Sequence, residues 1–219
     1  MFIVDDLNTY IEHTNLKTDA TVKDIITLCE EAKEYSFATV CVNPNFVPLA
    51  KERLEGSAVG VCSVIAFPLG ATPTSVKSYE AQFCLDNGAD EVDVVLNIGE
   101  IKQGNWKSVK DEMLKLVKLV HKKDAIVKFI IEVAYLNEEE IVKLSELAIE
   151  VDADYLKTST GFAPKNVTYD DVAIMSYILN NKVKIKAAGG IRDKKTVLNF
   201  IKAGAARIGT SKALEIINE

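Results

Sequence analysis

The chain has 219 residues, of which 48% are hydrophobic and 26% charged, enough for one large domain over 1–219 with a substantial core. Its formal net charge of −6 and isoelectric point near 5.2 argue against a nucleic-acid or anionic-membrane surface, since either needs a clustered basic face. The acidic start at Asp5 and Asp6, with no apolar run near the roughly 18 residues of a span, sets the expectation of a cytoplasmic protein.

In chain order, short β-branched runs alternate with longer segments of helical period. Strands are expected over 10–16, 38–42, 59–65, 91–96, 127–133, 155–158, 183–187 and 206–209. Amphipathic helices are expected over 21–35, 74–87, 106–122, 137–150, 170–180 and 193–203, with a short one after Ser211. Thr21, Asn137 and Asp170 suit helix starts, and Gly88 and Gly204 fall just past helix ends. Met113, Leu116, Val117 and Val120 share one face with lysines opposite, the pattern of a solvated helix.

Eight strands each followed by a helix predict a (β/α)₈ TIM barrel. A doubly wound open sheet is the alternative. It needs a glycine-rich first βα turn, and no GxGxxG follows an early strand.

Cys29, Cys41, Cys62 and Cys84 form no CxxC pair, and His13 and His121 lie far apart. The expectation is therefore no metal, no disulfide and four packing thiols.

Lys157 and Lys186 each interrupt an apolar, strand-like run. Lysine is seldom buried without a partner, because removing its ammonium from water is costly. Desolvation and a neighbouring like charge both favour the neutral amine, which can attack a carbonyl. The structural alternative is a lysine at a strand end with its head group in water. Asp93 interrupts another strand, and period two places it with Glu91, Val95 and Asn97 on one face. It can shuttle protons, or merely neutralise a buried lysine. Lys128 and Glu132 also share a face, as an inner polar network or as strand-end residues. Lys184 shares the face of Lys186 by strict alternation, and a barrel interior accepts it only with a bulge or a later strand start.

Three small, hydroxyl-rich loops follow the last strands: Thr158-Ser-Thr-Gly161, Gly189-Gly-Ile-Arg192 and Gly209-Thr-Ser211. Glycines let backbone N–H groups approach an anion, and barrels often hold phosphate on the loops after strands seven and eight.

Thr9-Tyr-Ile-Glu-His-Thr, Val40-Cys-Val-Asn-Pro44, Asp90-Glu-Val-Asp-Val-Val95, Leu156-Lys-Thr-Ser-Thr-Gly-Phe162, Lys186-Ala-Ala-Gly-Gly-Ile-Arg192 and Ile208-Gly-Thr-Ser211 occur in this order along nearly the whole chain. In them the sequence strongly resembles the deoxyribose-phosphate aldolases, class I aldolases with a (β/α)₈ fold. The resemblance implies Lys157 as the Schiff-base lysine, Lys186 as the second lysine that lowers its pKa, and Asp93 as the acid/base residue acting through a water. It places the substrate phosphate at Gly161, Gly189, Gly190 and Ser211. It implies no metal or organic cofactor, since the lysine is the electron sink, and a phosphorylated sugar as the small-molecule partner. The chain departs from the family pattern at Glu12, Asn15 and Lys212. A homodimer is compatible with its helix faces. The rival readings are a barrel isomerase that uses Asp93 without covalent chemistry, and a phosphate-binding barrel without catalysis.

Overall fold

The computed structural model describes residues 6–219; residues 1–5, including Asp5 of the acidic start, lie outside the described residues. Eight parallel strands close into a barrel in chain order. They are β1 (Ile11–Asn15), β2 (Thr39–Val42), β3 (Gly60–Ile65), β4 (Glu91–Val95), β5 (Ile126–Ile130), β6 (Tyr155–Lys157), β7 (Lys184–Ala188) and β8 (Arg207–Thr210). The helices around them are α1 (Val22–Glu34), α2 (Val47–Arg53), α3 (Thr74–Asp86), α4 (Ile98–Lys102), α5 (Trp106–His121), α6 (Glu138–Glu150), α7 (Tyr169–Leu179), α8 (Lys194–Ala203) and α9 (Ala213–Ile217). Among the described residues no helix is long and apolar enough to cross a membrane.

The elements form where the local chemistry says they should. Thr21 and Asn137 each close a capping box, accepting from the N3 amide while the N3 carboxylate takes the cap's own N–H. The expected cap at Asp170 is displaced to Thr168, which pairs reciprocally with Asp171, because a hydroxyl three residues before an acid completes the box. On α5 the expected apolar stripe of Met113, Leu116, Val117 and Val120 is buried. Two short helices, α2 and α4, fall in stretches too brief for a period to be visible.

Alternation along each strand sorts side chains into two compartments. Residues such as Val94, Phe129, Leu156, Ile185 and Ile208 face outward into the layer between sheet and helices, where nearly all the apolar core lies. The opposite face lines the barrel interior, and there the buried residues include Glu12, Glu91, Asp93, Lys128, Lys157 and Lys186.

Lys184 opens β7 and is exposed. Its Nζ lies 5.6 Å from the centre of the Tyr155 ring, at the end where the strands enter. The strand starts at this residue without a bulge, so the ammonium reaches water past the barrel's mouth. The strand expected over 127–133 ends early, at Ile130, because Glu132 turns the backbone into the left-handed region (φ 53°).

Candidate active site

Asp93 stands at the centre of the interior. On β4 it faces Lys128 across the β5 register, while Lys157 faces Lys186 across the pairing of β6 with β7. Its Oδ2 accepts from Lys157 Nζ at 2.7 Å and from Lys186 Nζ at 2.6 Å. Its Oδ1 accepts from Lys128 Nζ at 3.0 Å and from Cys62 Sγ at 3.2 Å. The two lysines singled out from sequence thus share one carboxylate oxygen.

A second ring of charge supports this centre. Lys186 also bonds Glu12 and Lys128 also pairs with Glu91. Glu12 Oε1 lies 3.4 Å from Lys128 Nζ, and Arg207 Nη1 sits 3.6 Å from both Glu12 and Glu91. Burial of so many charges is tolerable only because each has an opposite partner in contact. Burial by itself would raise the Asp93 carboxyl, but Lys128, Lys157 and Lys186 more than offset it and hold it well below the usual carboxylate range. Glu12 is likewise lowered, burial being outweighed by Lys128 and Lys186. Burial disfavours the ammoniums of Lys128 and Lys186, yet Asp93 and the glutamates raise both above an ordinary lysine. These two lysines therefore serve as fixed cations at neutral pH.

Lys157 ends β6, the shortest strand, and is 3% exposed where Lys128, Lys186 and Asp93 are all at 0%. Of the three lysines it alone opens toward a cleft of about 680 Å³ at the carboxyl ends of the strands. Gly161, Gly189, Gly190 and Ser211 line the same cleft. At Gly190 (φ +79°) a Cβ would come within 2.2 Å of the Asn166 side chain, so only glycine fits that turn. The Cβ position of Gly161 lies 3.9 Å from the Gly189 Cα, which brings two of the loops together. Lys212 turns away from them, its Nζ donating to Glu215 at 2.5 Å.

Several interior residues were not singled out in the sequence. Lys128, expected only to share a strand face with Glu132, contacts Asp93 as directly as Lys186 does. The signal that marks Asp93, a charge inside an apolar strand, marks Lys128 equally. Arg207 left no such signal, because it opens a strand of four residues. Cys29 and Cys84 pack in the sheet–helix layer as expected. Cys41 and Cys62 instead lie inside the barrel, and Cys62 donates to Asp93, a polar role beyond packing. Cys41, Cys62 and Asp93 offer three ligating atoms within 4.8 Å of one another. Both Asp93 oxygens are already engaged by lysine, so a dication there would meet three ammonium-bearing side chains. Glu132 does not join Lys128; its carboxylate leaves the interior and bonds Thr160.

With the barrel and its charged interior in place, comparison with known proteins gives the class directly. Residues 6–214 match the model of the DeoC/LacD family aldolases, and the chain belongs to that family. Within it, the chain is 52% identical to a deoxyribose-phosphate aldolase of Thermococcus gammatolerans, over 97% of this chain and 95% of that protein. It is 48% identical to one of Carboxydothermus hydrogenoformans, over 94% of this chain and 92% of the relative. Among solved structures, a putative deoxyribose-phosphate aldolase from Coccidioides immitis superposes with a TM-score of 0.94 at 38% identity, covering 97% of this chain and 85% of the other. The deoxyribose phosphate aldolase of Aeropyrum pernix, described as tetrameric, gives 0.90 at 33% identity, with coverages of 97% and 89%.

Proposed function

We propose that this chain reversibly cleaves 2-deoxy-D-ribose 5-phosphate to D-glyceraldehyde 3-phosphate and acetaldehyde through a Schiff base on Lys157. The observation that carries the reading is the shared oxygen. Lys157 and Lys186 meet on Asp93 Oδ2 beside a glycine-lined cleft, and only Lys157 reaches that cleft. Lys128, Lys186 and Arg207 pair with Glu12, Glu91 and Asp93, and Lys157 joins this network through Asp93.

In this reading Lys157 attacks the aldehyde carbon of the open-chain sugar, and the carbinolamine loses water to an iminium. The departing hydroxyl takes its proton from a water held by Asp93, while Lys186, bound by Asp93 and Glu12, stays a fixed cation beside it. Asp93, through a water, takes the proton from the C3 hydroxyl as the C2–C3 bond breaks into the iminium. The ammoniums of Lys128 and Lys186 make it a weak base on its own, which favours a relay over direct removal. Protonation of the enamine and hydrolysis release acetaldehyde. Gly161, Gly189, Gly190 and Ser211 hold the phosphate through the loop geometry described above. The residues of the site supply the electron sink and the proton transfers themselves, so the reaction calls for no metal or organic cofactor.

Borohydride reduction in the presence of acetaldehyde, followed by peptide mapping, tests the assignment. An adduct on Lys157 is expected, and one on Lys186 would reverse the two roles. Turnover with no borohydride sensitivity would replace the covalent mechanism with non-covalent isomerisation.

We also propose a cytoplasmic location, which four free buried cysteines fit, and, from its exposed helix faces, a homodimer. Val76, Tyr79 and Phe83, spaced three and four residues apart on α3, form an exposed apolar stripe, a composition suited to self-association. Light scattering at several protein concentrations would measure the state directly. The deoxyribose-phosphate substrate also places the enzyme in deoxyribonucleotide catabolism.

A further inference from the structure

We propose that Glu132 is a positioning residue whose carboxylate clamps the loop after Lys157 and so shapes the phosphate end of the cleft. The inference rests on the aldolase reading above and adds to it a residue outside the Asp93 cluster.

After Lys157 the chain has no regular structure from Thr158 to Gly161, and its hold on the protein is uneven. Thr158 is fastened on both sides. Its N–H donates to the Lys186 carbonyl at 3.1 Å, its own carbonyl accepts from Val133 N–H at 2.9 Å, and its hydroxyl donates to the Ala188 carbonyl at 2.9 Å. Two residues later the fastening changes to a single side chain. Glu132 Oε2 accepts from the Thr160 N–H at 3.1 Å and also bonds the Thr160 hydroxyl. That hydroxyl in turn accepts from the Phe162 N–H at 3.1 Å. Gly161 is held between Thr160 and Phe162, so this carboxylate sets its place.

The backbone is arranged to deliver the carboxylate. Glu132 lies in the left-handed region (φ 53°, ψ 68°), which a residue with a side chain adopts only when its surroundings enforce it. Its neighbours enforce it here: the N–H of Ile131 donates to the Lys157 carbonyl and that of Val133 to the Thr158 carbonyl. The residue between them is thereby turned across β6 rather than continuing β5. Glu132 is 3% exposed, and its second oxygen, Oε1, is buried without a hydrogen-bond partner.

Two measurements on the purified full chain separate the loop's role from that of Lys157. The first is borohydride trapping of acetaldehyde, which needs the lysine and no phosphate cradle. The second is KM for 2-deoxyribose 5-phosphate together with the dissociation constant for inorganic phosphate. Glu132→Ala is expected to keep trapping on Lys157 at the wild-type rate. Its KM and phosphate dissociation constant should each rise about 10-fold or more, the scale on which small misplacement of binding groups acts. Glu132→Gln, which retains an acceptor oxygen, should recover most of the loss. If Glu132→Ala does not fold, Glu132→Asp is expected to show the same split in smaller measure. Unchanged KM and phosphate affinity in a folded variant would overturn the proposal, as would trapping and phosphate affinity falling together. Failure of the wild type itself to trap acetaldehyde would sink the aldolase reading and leave the phosphate comparison standing.

Discussion

Between sheet and helices this protein is built largely from Val, Ile, Leu and Phe; inside the sheet Lys, Glu, Asp and Arg sit beside a small cluster of Cys41, Cys62 and Val64. The same strands supply both compartments, one residue apart. Val92 and Val94 on β4 belong to the layer while Glu91 and Asp93 enter the interior, and on β6 Leu156 faces out while Lys157 faces in. Barrel interiors are usually filled by bulky branched residues. Filling this one with charge gives up hydrophobic stabilisation where the reaction is proposed to occur, and the outer layer carries the fold. Each interior charge is tolerated because a partner touches it, so the interior behaves as one unit, whereas the layer is a sum of separable contacts.

The contrast is most sharply broken at Asp93. Asp93→Asn leaves Lys128, Lys157 and Lys186 around a neutral amide. It should lower kcat by about 10² to 10⁴, as for loss of a general acid/base. Stability should fall by roughly 3–5 kcal/mol, as when one partner of a buried pair is removed. Steady-state assay and denaturant unfolding read the two effects separately.

The layer contains its own buried ion pair. Lys77 on α3 donates to Glu112 on α5 at 2.7 Å and to the Val95 carbonyl at 2.8 Å. Glu112→Leu alone should cost about 3–5 kcal/mol by leaving the ammonium unpaired, while Lys77→Met with Glu112→Leu should come near neutrality. Neither should change kcat. If the double variant also lost activity, the two compartments would be less independent than their geometry indicates.

Leu156→Ala empties outward-facing volume next to Lys157 in sequence. Its expected cost is about 2–5 kcal/mol, with kcat of the folded fraction preserved because the side chain points away from Lys157. Thermal unfolding and active-site titration by borohydride trapping check both halves.

The mildest effect expected is that of pH. Asp93 and Glu12 have lowered folded values, so their contribution is complete above about pH 4 and is lost only as pH falls further. Lys128 and Lys186 have raised values, so theirs is complete below about pH 10 and is lost as pH climbs past their folded values. Between these limits these four groups should keep their charges. His13 faces the other way, against Phe37 and Glu31. Burial, outweighing the Glu31 contact, lowers it from 6.5. Its contribution is therefore present above about 6.5 and is lost as pH falls through the lower folded value. Denaturant midpoints should drop on acidification in the wild type, and the drop should shrink in His13→Gln.

Much of this arrangement was legible beforehand. Period-two alternation and βα repetition are local properties, and they located the strands to within a few residues. Lys157, Lys186 and Asp93 stood out because a charge inside an apolar strand is rare. Strand ends were less legible. Nothing in the run from Val127 to Val133 announces that Glu132 takes a left-handed turn, since that conformation is imposed by Lys157 and Thr158 on the neighbouring strand. Lys184 and Lys186 look alike in the sequence for a related reason. Alternation gives the face of the sheet but not the height along the barrel, and height separates an ammonium in water from one buried beside Asp93.

The sequence by itself determined the fold class and the two-faced strands, and it marked Lys157, Lys186 and Asp93 as charges set inside apolar strands, because these follow from spacing and composition along one segment at a time. Only the tertiary structure decided which oxygen each lysine shares, that Lys128 and Arg207 complete the charge balance, and that Glu132 leaves the interior to hold Thr160. Those facts depend on which strands become neighbours when the sheet closes and on how far each is shifted past the next. Contacts between residues 64 or 93 positions apart, such as those of Asp93 with Lys157 and Lys186, exist only once that closure is made.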